Sequence, residues 1–112
     1  MTSREIVDAL GLTVYSEGDL DRAVTGVVSG DLLSFIMAEA RTDWLWITIQ
    51  VHLNVCAVAV LKEVPFILVA SGRTPAEDLV ERCRLENITL CGSGHSAYEI
   101  AWRLHEAGCT SD

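Results

Sequence analysis

Proline and lysine are scarce in this chain, which has 2 prolines and one lysine, Lys62, among its 112 residues. Half of the residues are hydrophobic, and that composition differs from the polar, proline-rich composition of disordered proteins. Single domains commonly contain about 100–150 residues. We therefore expect residues 1–112 to form one compact domain.

Motifs that bind phosphate or structural zinc are also missing. Neither GxGxxG nor GxxxxGK[ST] occurs, and the only lysine closes an apolar segment, so the chain cannot be the catalytic part of a kinase. None of the four cysteines lies in a CxxC or CxxH spacing. We expect Cys56 and Cys91 to be small buried apolar residues, Cys83 to lie on a helix and Cys109 to lie near the tail, with no metal or redox role.

Long apolar runs and an excess of positive charge are absent too. No apolar run approaches the roughly 18 residues of a membrane span, and the opening MTSREIVDAL carries charges where a signal peptide is apolar. Acidic residues outnumber basic residues 16 to 8, for a formal net charge of −8. These features predict a soluble, cytoplasmic protein that binds neither nucleic acid nor membranes.

Apolar runs at strand and helix spacing alternate along the chain. From residue 44 onward the order is strand, helix, strand, helix, strand, helix, which predicts a parallel sheet with right-handed crossovers. The predicted fold class is α/β, a three-layer α/β/α sandwich with a mainly parallel central sheet of about four to five strands. Predicted helices are 3–10, 32–41, 54–63, 74–85 and 97–107, and predicted strands are 12–15, 23–28, 44–51, 66–70 and 88–91.

Capping residues predict where several helices begin. Thr2 followed by Glu5 has the spacing of a capping box. Asn54 can cap the third helix, and Thr74 with Pro75 at the first helical position can start the fourth.

Polar residues and glycines cluster where the predicted parallel strands end. In open α/β sheets, ligands bind beyond the carboxyl ends of the strands. Glycines allow close backbone approach, and an arginine with helix N-termini favours an anion. The candidate ligand-binding residues are Gln50, His52, Asn54, Ser71, Gly72, Arg73, Thr74, Gly92, Ser93 and His95. Alternatively, each of them serves local structure, as a helix cap, a loop hydrogen bond or a turn.

Catalytic residues are not predicted. His52 and His95 could form a metal or acid/base pair if their loops are adjacent, but no Asp or Glu stands beside either ring to orient it. No GxSxG motif exposes a serine nucleophile. A small enzyme that uses one of the histidines is the third of our three hypotheses.

Two apolar features suggest self-association. Trp44 and Trp46 lie on one side of their predicted strand, and the helix 54–63 is apolar almost all round. A chain this small buries such a helix with difficulty, so we expect a homodimer that uses this helix or the tryptophan side. The alternative is a monomer whose own core covers both.

The ordered series LDRAVTGVVSGDLLSFIMAEA and WITIQVHLNVCAVAVLKEVPFILVASGRTP, followed by a strand and a helix, resembles a small stand-alone DRTGG domain from about Glu5 to Gly108. The resemblance implies an α/β/α sandwich with no defined activity of its own. DRTGG domains occur beside CBS domains and phosphotransacetylases, which implies a regulatory or ligand-sensing role. Gln50-Val51-His52 and Ala70-Ser71-Gly72 replace the two signature segments, so only Gly72 is retained.

The first forty residues are more loosely similar to the N-terminal domain of HPr kinase/phosphorylase, through GDLDRAV and GDLL. Our first functional hypothesis is a non-catalytic regulatory module that binds a small anionic or nucleotide-like ligand; the sequence identifies no cofactor. The second hypothesis is a protein-interaction or dimerisation adaptor without a small ligand.

Overall fold

A computed structural model describes residues 1–109. The described chain forms a five-stranded sheet and five helices. In chain order they are α1 (Ser3–Leu10), β1 (Thr13–Ser16), β2 (Gly26–Ser29), α2 (Leu33–Glu39), β3 (Trp44–Thr48), α3 (Asn54–Leu61), β4 (Phe66–Val69), α4 (Glu77–Leu85), β5 (Thr89–Gly92) and α5 (Ala97–Ala107).

The sheet has the strand order β1-β5-β4-β3-β2. Strands β2 to β5 are parallel, and β1 pairs antiparallel with β5 at one edge. The predicted α/β class and the mainly parallel sheet are therefore confirmed. Because β1 is antiparallel, the orientation of the whole sheet is mixed.

The apolar strands share two core clusters with residues of the helices. Neighbouring residues along a strand point to opposite faces. Trp46, Ile67 and Leu90 belong to a core cluster with residues of α2, α3 and α4. Leu45 and Leu68 belong to a second cluster, which includes residues of α1 and α5.

Several element boundaries differ from the prediction, and β2 begins at Gly26 instead of residue 23. β3 ends at Thr48 instead of residue 51. Asn54 is the first residue of α3 and not its cap, because Cys56 N–H donates to Leu53 O at 3.0 Å and begins the turn one residue earlier. α4 begins at Glu77 and not at Pro75, because Ala76 is extended and its N–H donates to the β3–α3 loop.

The tryptophan side of β3 is covered within the chain. Trp46 is fully buried, and its indole Nε1–H donates to Gly30 O at 2.8 Å. Trp44 is half-buried over Gly26, with the Arg41 guanidinium 5.8 Å from its ring centre. The tryptophan side is therefore not a surface available for a dimer.

Candidate ligand site at the strand ends

Three loops meet at the carboxyl edge of the sheet. The β4–α4 loop lies between the β5–α5 loop and the β3–α3 loop, because β4 lies between β5 and β3. Its Ser71 and Gly72 N–H groups donate to His95 O at 2.8 Å and Ser93 O at 2.9 Å. On its other side, Arg73 Nη1 donates to Ile49 O at 2.9 Å. The structure therefore brings the three predicted segments together; we call this surface the rim.

The centre of the rim has an unusual backbone. Ser71 and Gly72 both have left-handed conformations, with φ of 61° and 67°. Glycine adopts this region readily, whereas a serine there is uncommon and costs free energy. The hydrogen bonds to the β5–α5 loop hold both residues in place. Such strained residues concentrate at binding and catalytic sites.

A fourth loop joins the rim through Asp31, which the sequence analysis did not include among the site residues. Asp31 Oδ1 accepts from Thr48 Oγ1 at 3.0 Å and from Ile49 N–H at 2.8 Å. Gln50 Nε2 donates to Asp31 O at 2.9 Å. The signal in the sequence is an acidic residue just after β2, the first parallel strand, in the turn Ser29-Gly30-Asp31.

Exposure separates the predicted site residues into two groups. Gln50 and Ser93 are half-buried, and Gly92 is buried as the last residue of β5, against the Tyr15 ring. Gly92 therefore serves packing and does not face the rim. The exposed candidates are His52, Asn54, Ser71, Gly72, Arg73, Thr74 and His95.

The two histidines lie on loops that are not neighbours. His52 follows β3 and His95 follows β5, and the β4–α4 loop lies between them. Within residues 1–109, no three His, Cys, Asp or Glu side chains come together as a metal site. This arrangement gives no support to an acid/base pair of His52 and His95.

The three helix N-termini at the rim differ in charge. The first turn of α4 carries Glu77 and Asp78, and that of α5 carries Glu99. Carboxylates there interact with the positive end of the helix dipole and disfavour a second anion. The first turn of α3 has no acidic residue, and Arg73 contacts the loop that precedes α3. The Asp31 carboxylate also lies near residues 49–50, but its Oδ1 already accepts two hydrogen bonds, so the start of α3 is the helix N-terminus of the rim with the least competing negative charge.

The rim backbone is only partly available to a ligand. The N–H groups of Ser71, Gly72 and Ala76 already donate to neighbouring loops. Arg73 has five N–H donors, and the hydrogen bond to Ile49 uses only part of that capacity. The Arg73 guanidinium therefore remains available to a ligand, together with the other exposed side chains of the rim.

The four cysteines are free and buried. Burial raises the pKa of the Cys56 thiol and raises that of Cys91 to about 12. They are consequently neutral at physiological pH and contribute to packing, which the sequence predicted for Cys56 and Cys91 and the structure adds for Cys83 and Cys109. No helix in the described part of the chain has the length and apolar character needed to cross a bilayer.

No known protein family matches the sequence, and no curated protein matches it. The fold is similar to the CBS and DRTGG domains of the regulatory region of Clostridium perfringens pyrophosphatase, in a structure complexed with the activator diadenosine tetraphosphate. The two chains are 17% identical with a TM-score of 0.80, over 95% of this chain and 46% of the pyrophosphatase chain. This chain thus spans less than half of that structure. The similarity supports a related domain fold, as the DRTGG resemblance predicted.

Proposed function

We propose that this chain is a non-catalytic regulatory module whose rim binds a small anionic, nucleotide-like ligand, within a three-layer α/β/α sandwich. The observation that carries the proposal is the position of Arg73, which contacts the β3–α3 loop beside a helix N-terminus without acidic residues. The similar pyrophosphatase region, which is regulatory and was solved with a nucleotide activator, supports this class of function.

Each part of this side of the rim has a chemical role in the proposed binding. An exposed arginine presents paired N–H donors that match the oxygens of a phosphate group. The N-terminal N–H groups of α3 favour the same negative charge. His52 and Asn54 are exposed at the start of α3 and can donate hydrogen bonds to a base or a sugar.

A second function, a protein-interaction adaptor, is favoured by a different observation. Three large apolar residues are exposed at α3: Leu53 at its N-cap, and Val60 and Leu61 in its last turn. An adaptor would use this surface and leave the rim empty.

A thermal-shift experiment tests the ligand proposal. The full chain is heated with AMP, ATP, diadenosine tetraphosphate, inorganic phosphate or divalent metal ions, because a ligand that binds only the native state raises the Tm. We expect a nucleotide to raise the Tm of the wild type, by an amount corresponding to about 2.7 kcal/mol at a hundredfold excess over Kd. Arg73→Ala should abolish the shift.

The control is Arg4→Ala, which removes another exposed arginine, paired with Asp21 on the surface, and should keep the shift. Arg73→Lys separates the roles of charge and geometry, because lysine retains the charge but not the paired donors. A nucleotide shift that survives Arg73→Ala would exclude this side of the rim as the site. No shift with any compound would favour the adaptor.

A further inference from the structure

The outer face of α3 is apolar except for Asn54, which is exposed in the first turn. Val55, Cys56, Val58 and Ala59 form its buried face. Its opposite face carries Leu53, Ala57, Val60 and Leu61, all exposed, and Leu61 is 69% exposed. A helix on the surface of a monomer normally places charged and polar residues there. The core of a single chain therefore accounts for only one face of this helix.

Three of the exposed residues form a symmetric row. Leu53, Ala57 and Leu61 are four residues apart, so they lie along one ridge of the helix with the smallest side chain in the middle. If a second α3 crosses the first about a two-fold axis through Ala57, each Leu53 lies beside the partner's Leu61. Ridges of this spacing pack at a crossing angle of about −50°. The row is thus complementary to itself.

A groove beside α3 can accept a side chain from that second copy. It has a volume of about 470 Å³ and runs between α3 and α4. One wall of the groove is apolar and consists of Leu53, Cys56, Ala57, Val60 and Leu61. The other wall consists of Arg82 on α4 and Glu86 just after it. The helix row and the groove are continuous, so a leucine projecting from a second α3 would bury its side chain there.

Charge opposes self-association less at this surface than over the rest of the chain. The chain carries a formal net charge of −8, so two copies repel each other across most of their surfaces. Arg82 and Glu86, the charged residues that line the groove, form an ion pair at 3.4 Å with no net charge. Two copies can therefore approach here without opposing like charges.

We propose that the outer face of α3, with the groove between α3 and α4, is the interface of a two-fold homodimer of this chain. The proposal identifies a partner surface that shares only Leu53 with the rim and does not depend on any ligand. It also selects the α3 surface over the tryptophan side of β3, where Trp46 is buried within its own chain.

The first test is the mass of the full chain in solution, by light scattering. We expect the wild type to have twice the chain mass of 12.2 kDa. Leu61→Glu should convert it to the single-chain mass at the same concentration, with an unchanged circular dichroism spectrum. The matched control is Trp102→Glu on α5, where a large apolar residue is also exposed, at 55%. This variant should remain a dimer.

A second test places a thiol at the proposed axis. In Ala57→Cys, two copies bring their new cysteines together, and oxidation with diamide should produce a covalent dimer, since disulfides need Cα atoms about 4.4–6.8 Å apart. The control Ala9→Cys, exposed on α1, should stay monomeric on a non-reducing gel. A monomeric wild type, or a Leu61→Glu variant that remains dimeric, would overturn the proposal.

Discussion

Asp31 and Arg73 both bind the backbone at the end of β3. The Asp31 carboxylate accepts from Ile49 N–H, and the Arg73 guanidinium donates to Ile49 O. Two charged side chains from different loops therefore hold the residue at which the β3–α3 loop begins. At the scale of the residue, the Asp31 and Arg73 side chains position the backbone of the rim in the absence of a ligand.

Replacement of Asp31 by alanine should destabilise the fold. Asp31→Ala removes the acceptor for the buried Thr48 hydroxyl and for Ile49 N–H, and a lost hydrogen bond of this kind costs about 1–3 kcal/mol. The free energy of unfolding in urea measures the loss. Asp31→Asn keeps an oxygen acceptor and should lose less.

Asp8→Ala is the matched control, because Asp8 is exposed on α1 and its removal should change the free energy of unfolding by less than about 0.5 kcal/mol. Wild-type stability in Asp31→Ala would contradict the positioning role.

At the scale of the element, α5 illustrates how a helix begins at the rim. Ser96 is extended, and its Oγ accepts from Glu99 N–H at 3.2 Å, so it is the N-cap that precedes Ala97. The helix ends at Gly108, which has a left-handed φ of 102°. Both ends follow from residues whose preferences act over a few positions, and the predicted helix 97–107 is confirmed.

Loss of this cap should weaken α5 and the loop before it. Ser96→Ala leaves the Glu99 N–H without its acceptor and should lower the free energy of unfolding by about 1 kcal/mol. Ser96→Asp restores a carboxylate acceptor and should recover most of the loss. The measurement is urea unfolding followed by circular dichroism. Equal stability of Ser96→Ala and the wild type would show that the cap contributes nothing.

At the scale of the whole molecule, the thiols are distributed over both cores. Cys56 and Cys83 pack in the cluster with α2, α3 and α4, whereas Cys91 and Cys109 pack in the cluster with α1 and α5. Burial raises the pKa of all four. Each of the two core clusters thus contains two titratable thiols.

The chain should lose stability in alkaline solution. Above about pH 8.5 the thiols of the unfolded chain ionise, while the buried Cys91, with its pKa raised to about 12, keeps its proton. The unfolded state then binds fewer protons than the folded state, so the free energy of unfolding falls as pH rises. Each such buried thiol lowers the free energy of unfolding by about 1.4 kcal/mol per pH unit in this range.

Urea unfolding at pH 8 and pH 10.5 measures this effect. Cys91→Ala removes one titrating group. Its free energy of unfolding should therefore fall less between pH 8 and pH 10.5 than that of the wild type. The comparison uses only this difference, so a lower stability of the variant at pH 8 does not affect it. Identical pH slopes for the two chains would exclude the Cys91 contribution.

The sequence by itself determined the elements whose evidence is local. The apolar runs FILV and WLWIT predict strands buried on both faces, and the glycine after residue 107 predicts the end of α5. It also indicated where the rim lies, since the polar residues directly follow those strands. Such patterns depend on side chains within one or two turns, which the order of residues specifies completely.

Only the tertiary structure decided which strands are neighbours and which polar groups meet. Strand β1 pairs with β5, which is far away in the sequence. The two strands run antiparallel, so the sheet is mixed. The Ala76 N–H donates to Val51 O. Helix α4 therefore begins at Glu77, later than the start that Pro75 predicts. Asp31 reaches β3 only because β2 lies beside it. These outcomes depend on contacts between distant segments, whose free energies are gained only when the whole sheet assembles.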